Sequence, residues 1–518
     1  MNTLVQNCNI IDGTGAPAYT GSVGFDCGQI RVFPGGDLPQ ADVVIDGRGL
    51  TLVPGFLDAH SHGDLSMISP YATLSKLNQG ITMQIAGQCG VSLFPSGGVS
   101  PELFPRFISG IAPYPDFPDD LSSLESARGY FSWLDELPNP ITTKSFVGHG
   151  TLRLWAMGYE NRKPDAGELR RMQDMLRRCI REGALGLSTG LVYAPSCYAG
   201  NEEILALLRV VHEEGAIYAT HPRNEGDQVI EARAESIRLA LEADVPLCVS
   251  HMKAAGRQNW GKPHEVLRQL DAAVEQGLRA LMDSYPYLAG CTSLNVSIPP
   301  RYFTEGLDGM VEALQNPSER ETIREEIARQ SDYDNYVLNS GGFSGVYVSS
   351  CPIDHCAEGM FISDYAKQRG IDAFDAYCDI LIRNKGLGLG IYFHMSESDV
   401  VEILTHPLCV LGTDGLIGKS GENPHPRAFG ATAHAYNLLV RQKKLLSPEA
   451  MIHKMSGQTA AFFRLERKGR IVDGMDADAL LLDLEAFCDT ATYENGSGIT
   501  AGIRRIFVGG REISLPRV

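Results

Sequence analysis

The 518-residue sequence predicts an α/β chain built on a barrel of eight parallel strands, with a small β domain drawn from both chain ends and an inserted lid. Three observations predict it. Apolar runs of strand length alternate with helical stretches through the middle of the chain, as βα units require. Short β-rich runs separated by Gly, Asp and Pro occupy both ends. Metal-ligating side chains recur where the central runs finish.

Composition sets the outer limits. Hydrophobic residues make up 43% and charged residues 21%, which excludes disorder, collagen and coiled coil as descriptions of the whole chain. Lys+Arg 45 against Asp+Glu 63 leaves a net charge of −18. A chain this acidic, without a basic stripe, argues against non-specific nucleic-acid or anionic-membrane binding. A small anionic substrate stays open, because one local Lys or Arg outvotes the global field. The opening MNTLVQNCNIIDGTG has neither the basic nor the apolar segment of a secretory signal. No run approaches the ~18–20 apolar residues of a membrane helix. The 12 Cys are scattered without a tight framework, and a chain of this size buries a core without disulfides. These readings predict a cytoplasmic protein with reduced thiols. The oligomeric state is not encoded in any feature of the sequence.

From the N terminus, residues 5–11, 21–27, 30–33 and 41–46 read as strands. At the other end 469–471, 479–483 and 503–508 do the same, with GGRE as a hairpin turn. Residues 1–50 and 468–518 are expected to form one β-sandwich, and 51–467 the barrel. Its eight buried strands are expected at 52–59, 82–86, 145–148, 184–188, 216–220, 247–250, 279–283 and 409–413. Two connections are too long for simple βα loops. One runs over 90–143; the other, over 292–408, is expected to hold the lid subdomain. Eight strands with intervening helices over about 400 residues make a TIM-like (β/α)8 barrel, whose active sites lie at the carboxyl-terminal strand ends.

Chemistry accumulates at those ends. The first strand finishes GFLDAHSHGD, so His60 and His62 share one face and both imidazoles can address one ion. The second finishes AGQCG with Cys89, the fifth THPRNEGD with His221, the sixth SHMK with His251 and the eighth GTDG with Asp414. Alone, each has a plainer reading as a satisfied polar residue, a buried thiol or a helix cap. Their joint recurrence at one end of the strands favours a metal site. Four His, one Cys and one Asp form a donor set suited to zinc.

PGFLDAHSHGD resembles the first-strand signature of the amidohydrolase superfamily. It is followed in order by AGQCGVS, VGHGTLR, GALGLSTGLVYAPS, THPRNEGD, SHMK, DSYPYLAG, TDG with HPRAFG, and HKMSGQTAAFFRL. From about Thr51 to Asp483 the chain resembles the N-acyl-D-amino-acid deacylase (D-aminoacylase) family. The resemblance implies zinc-dependent hydrolysis of N-acyl-D-amino acids, or of dipeptides with a C-terminal D residue, to a carboxylate and a free D-amino acid. Many amidohydrolases bridge two metals with a carboxylated Lys on the fourth strand. Here ALGLSTG offers none, and in the deacylases a Cys ending the second strand takes over. The resemblance therefore implies a tight Zn2+ site of Cys89, His221 and His251 and a second, weaker one of His60, His62 and Asp414. Asp414 is the implied proton shuttle, taking a proton from metal-activated water and delivering it to the leaving amine.

Lys253 and Tyr285 fall, by the same resemblance, at positions that hold the substrate α-carboxylate. The family commonly reads YPYxAGS, with Ser as a further carboxylate donor; this chain reads YPYLAGC. Cys291 is a much weaker donor, so the adjacent Thr292 is the expected substitute unless the substrate is held differently. Arg301 in IPPRYF replaces a frequent aromatic. It reads either a second carboxylate, as in an N-acyl-D-glutamate or aspartate, or nothing, as a surface residue of the lid. His149 in VGHG and Arg427 in HPRAFG are pocket residues or supports. Two competing functions are a cyclic-amide hydrolase of the dihydropyrimidinase or dihydroorotase type and a non-catalytic barrel scaffold. The missing fourth-strand Lys and the Cys89 motif disfavour the first; the intact donor set disfavours the second.

Overall fold

The computed structural model describes residues 1–329, 332–419 and 421–515. Its centre is a ring of parallel strands: β1 (Phe56–Asp58), β2 (Ile81–Ala86), β3 (Thr142–Ser145, resumed as Val147–Gly148), β4 (Gly186–Gly190), β5 (Ile217–His221), β6 (Leu247–Val249), β7 (Ala280–Ser284) and β8 (Cys409–Leu411). Each pairs in parallel with the next. The ring closes where Ala59 N donates to Leu411 O at 3.2 Å and Asp414 N donates to His60 O at 2.8 Å. The strands are buried on both faces, which is why they read as continuous apolar runs rather than alternating ones.

The expected first strand, 52–59, is divided between two sheets. Thr51–Pro54 pairs with Ala479–Leu482 among the chain ends, and Phe56–Asp58 enters the barrel. Gly55 is the joint; a β-carbon there would sit 2.2 Å from Thr82 Oγ1.

The two chain ends share one eight-stranded sheet. Thr3–Ile10 pairs antiparallel with Tyr19–Asp26 along one edge. Its other edge takes Val43–Asp46 and then Thr51–Pro54, both parallel. Ala479–Leu482 and Ile503–Val508 extend the sheet. Its strands are hydrogen-bonded as one sheet, where two facing sheets were expected. Residues 469–471 add no strand; Ile471 N simply donates to Asp12 O at 2.9 Å. The last three residues of the expected 468–518 segment, 516–518, lie outside the described residues. Val5, Phe25, Leu481 and Phe507 form the local core.

The long insertion begins earlier than the expected residue 292. Ala289–Ser293 already pairs antiparallel with Leu389–Phe393, which pairs in turn with Val346–Ser350. The segments between them bury a separate core that includes Leu294, Met310, Ile323, Phe374 and Tyr377. Leaving after β7 and returning before β8, the insertion brings Cys291, Thr292, Tyr336 and His394 over the barrel's strand ends. Among the described residues no helix is long and apolar enough to cross a membrane.

The end of β2 is tightly constrained. Gly87 has φ +67°, and a β-carbon there would lie 2.3 Å from Phe146 O and 2.4 Å from Ser145 Oγ. Gly87→Ala adds a backbone clash to left-handed strain, each costing on the order of 1–3 kcal/mol. Calorimetry of the variant is expected to show a thermal midpoint several degrees lower. An unchanged midpoint would mean that the β2–β3 edge yields without cost.

Candidate metal centre

Six candidate donors leave the strand ends and converge. His60 and His62 follow β1, Cys89 follows β2, His221 ends β5, His251 follows β6 and Asp414 follows β8. All six are buried. Cys89, His251 and Asp414 have positive φ, at 53°, 33° and 50°. Such backbone is uncommon for residues with a β-carbon and costs on the order of 1–3 kcal/mol each. Here it diverts each side chain from its strand's line into the shared space.

The spacing suits a small cation. Cys89 Sγ lies 3.4 Å from His60 Nε2 and 3.2 Å from His251 Nε2. Tetrahedral zinc, with Zn–S about 2.3 Å and Zn–N about 2.0–2.1 Å, calls for S···N edges of ~3.6 Å. Asp414 Oδ1 completes the group at 3.6 Å from His60 Nε2, and it lies 3.3 Å from His62 Nε2. Donor atoms of His60, Cys89, His251 and Asp414 all lie within 4.8 Å of one another. Burial pushes the Cys89 thiol up, but His251, His60 and His221 outweigh it and hold the thiol well below its usual range. The donor set is thus prepared to present a thiolate, the form that binds metal.

His60 stands with Cys89, His251 and Asp414, and His221 also stands against Cys89. His221 forms a second group with Glu225 and His251, which belongs to both. Closure of the ring brings His60 in: β1 and β8 are neighbours, so His60 and Asp414 meet beside the Cys89 turn.

Two carboxylates that the sequence reading passed over orient the imidazoles. Asp283, fully buried at the end of β7, accepts from His60 Nδ1 at 3.2 Å and from His251 N at 2.9 Å. His251 Nδ1 lies 3.1 Å from Glu225 Oε1 and 2.7 Å from Lys253 Nζ. In both rings Nδ1 is committed outward and Nε2 is left for a metal, the usual backing of a ligand histidine. Glu225 had a signal, since it stands four residues after His221 in THPRNEGD. Asp283 opens DSYPY, where attention fell on Tyr285.

The pocket at this centre is lined by Lys253, Tyr285, Cys291, Thr292 and Arg427 from the expected set, and by Tyr336 and His394 from outside it. Lys253 is no bare cation: its Nζ donates to both Glu225 oxygens at 2.9 Å. Arg427 ion-pairs with Asp414 Oδ2 at 2.9 Å and donates to Cys291 O at 2.9 Å. Thr292 Oγ1 is engaged by the Tyr193 hydroxyl at 2.9 Å. Two expected residues do not line this pocket. His149 bonds Ser196 Oγ and Glu203 Oε1 at 2.5 and 2.9 Å, inside the wall. Arg301 is half-exposed, forks onto Glu326 at 2.7 Å and stacks on Tyr302. Of its two expected roles the surface one fits: Arg301 lies on the surface of the insertion, where Glu326 meets its charge.

Asp283→Ala removes the acceptor that fixes the His60 ring. Loss of such a backing group typically costs 10–100-fold in metal affinity. Competition of the variant against a chromophoric chelator is expected to show zinc held weaker by about that factor. Wild-type affinity would mean that packing alone orients His60.

Residues 43–315 match the model of the amidohydrolase family. The chain is 31% identical to N-acyl-D-aspartate deacylase of Alcaligenes xylosoxydans xylosoxydans over 98% of this chain and 91% of that one. It is 30% identical to D-aminoacylase of the same organism over 98% and 94%. Among solved structures it resembles N-acyl-D-glutamate deacylase from Bordetella bronchiseptica, complexed with zinc and a phosphonate mimic of the tetrahedral intermediate. That match has a TM-score of 0.82 and 29% identity, covering 99% of this chain and 96% of that one.

Proposed function

The chain belongs to the N-acyl-D-amino-acid deacylase branch of the amidohydrolase family, and we propose that it hydrolyses the amide bond of N-acyl-D-amino acids with zinc at the buried donor group. The observation that carries this reading is one buried group of His60, Cys89, His251 and Asp414 opening on a pocket with Lys253 and Tyr285. When bound, zinc supplies Lewis acidity, polarising the scissile carbonyl and bringing the pKa of water toward ~7.

The chain's own residues do the rest. Burial pushes the Asp414 carboxyl up, but Arg427 and His251 hold it well below the usual carboxylate range, so it is ionised. Arg427 occupies Oδ2. The Asp414 carboxylate accepts the proton of the attacking water and returns it to the departing amine nitrogen. Lys253 and Tyr285 receive the substrate α-carboxylate. Because Glu225 already offsets the Lys253 charge, the Tyr285 hydroxyl, which has no hydrogen-bond partner among the described residues, is the readier donor. The products are a carboxylate and a free D-amino acid.

The reading extends to the setting. A small carboxylate substrate, and no nucleic acid, fits a chain of net charge −18 with two cations, Lys253 and Arg427, at the pocket. A reducing, cytoplasmic location fits cysteines that are all free.

Asp414→Asn keeps the size and removes the basic carboxylate. Zinc-loaded variant is expected to lose about 10²–10⁴-fold in kcat on an N-acetyl-D-amino acid. A loss below tenfold would remove Asp414 as the shuttle. On racemic N-acetyl amino acids the wild type is expected to stop when the D half is consumed. Equal consumption of the L half would overturn the proposed stereochemistry.

A further inference from the structure

Among the described residues, both ring nitrogens of His394, the Tyr285 hydroxyl, His221 Nδ1 and Arg427 Nε at this pocket have no hydrogen-bond partner. His394 and Tyr285 are 3% and 1% exposed. Both groups border the space over Gly290: a β-carbon there would lie 3.1 Å from His394 Nε2 and 3.4 Å from Tyr285 Oη. An unpaired buried polar group is costly, so two at one gap mark a place built for a polar ligand.

The surroundings say which kind. His394 follows Leu389–Phe393, the strand paired with the one carrying Gly290 and Cys291. Its ring lies parallel to Tyr392 at 6.5 Å and tilted against Tyr336 at 5.9 Å. Its carbonyl accepts from Gly256 N at 2.8 Å and Trp260 Nε1 at 3.1 Å, which ties the backbone down. Burial first, and then the charges of Lys253 and Arg427, push the ring down to about 3, so it is a neutral imidazole with one N–H and one lone pair.

The groups expected to complete a carboxylate clamp are poor at it. Burial pushes the Cys291 thiol up to about 12, leaving a weak S–H donor. Thr292 is engaged by Tyr193. We infer that His394, through Nε2–H, binds the substrate α-carboxylate beside the Tyr285 hydroxyl and supplies the donor that Cys291 lacks. The inference rests on the N-acyl amino-acid reading of the substrate.

The test uses zinc-loaded enzyme and three variants: His394→Ala, His394→Met, which refills the volume, and His394→Gln, which keeps an N–H. Each is assayed on an N-acetyl-D-amino acid and on its α-carboxamide. His394→Ala and His394→Met are expected to lower kcat/KM for the acid by about ten- to a hundredfold, mostly through KM, while the carboxamide changes by less than about threefold. His394→Gln is expected to keep most of the acid preference. Zinc content stays at the wild-type level in all three. If the wild type cleaves acid and carboxamide equally, the carboxylate reading of the substrate itself fails. If the wild type prefers the acid but His394→Met loses nothing, or loses equally on both, the His394 assignment alone fails. A loss that follows the substrate's side chain rather than its carboxylate also overturns it. Should His394→Ala misfold, the Met and Gln variants carry the comparison.

Discussion

A buried thiolate among imidazoles is the interaction on which this site depends. Cys89 meets His60, His62, His221 and His251, and all five side chains are buried. A lone buried thiolate is strongly disfavoured, so positive charge has to gather round it. Without metal that charge is protons: burial lowers the basicity of His62, yet Asp414 and Cys89 push it up to about 9. A cation bound there displaces protons, which couples metal affinity to pH. The left-handed backbone at Cys89, His251 and Asp414 is part of the same arrangement, since strain at three strand ends brings the donors to one point.

Behind the donors, Glu225 links the metal side to the substrate side. One buried carboxylate faces Lys253, Arg233 and His251, at 2.9, 3.0 and 3.1 Å. Burial pushes it up, but Lys253 and the two imidazoles His221 and His251 hold it well below the usual range. Removing Glu225 would leave Lys253 and Arg233 buried without the carboxylate they share. The lid completes the enclosure from the far side, with Tyr336 and His394 standing beside residues of the barrel.

The barrel strands were legible because strands buried on both faces are long apolar runs, and their ends showed as abrupt polar residues. The six donors were legible for the same reason. What escaped was set by contacts distant in sequence. Asp283 backs His60 across 223 residues, and nothing in DSYPY announces an acceptor for an imidazole so far away. The division of 52–59 at Gly55 depends on a neighbouring Thr82. Arg301 looked available because its partner Glu326 lies 25 residues on, inside the lid. His394 was not legible because IYFHMSE reads as a strand running out into polar residues, and only the missing hydrogen bonds single it out.

The central claim is that Cys89 is a ligand of the metal that activates water here. X-ray absorption at the zinc edge of the reconstituted, full-length protein tests it most directly. The account predicts one sulfur scatterer at about 2.3 Å together with nitrogen and oxygen scatterers at about 2.0–2.2 Å. A first shell of nitrogen and oxygen alone, with no sulfur, would contradict it.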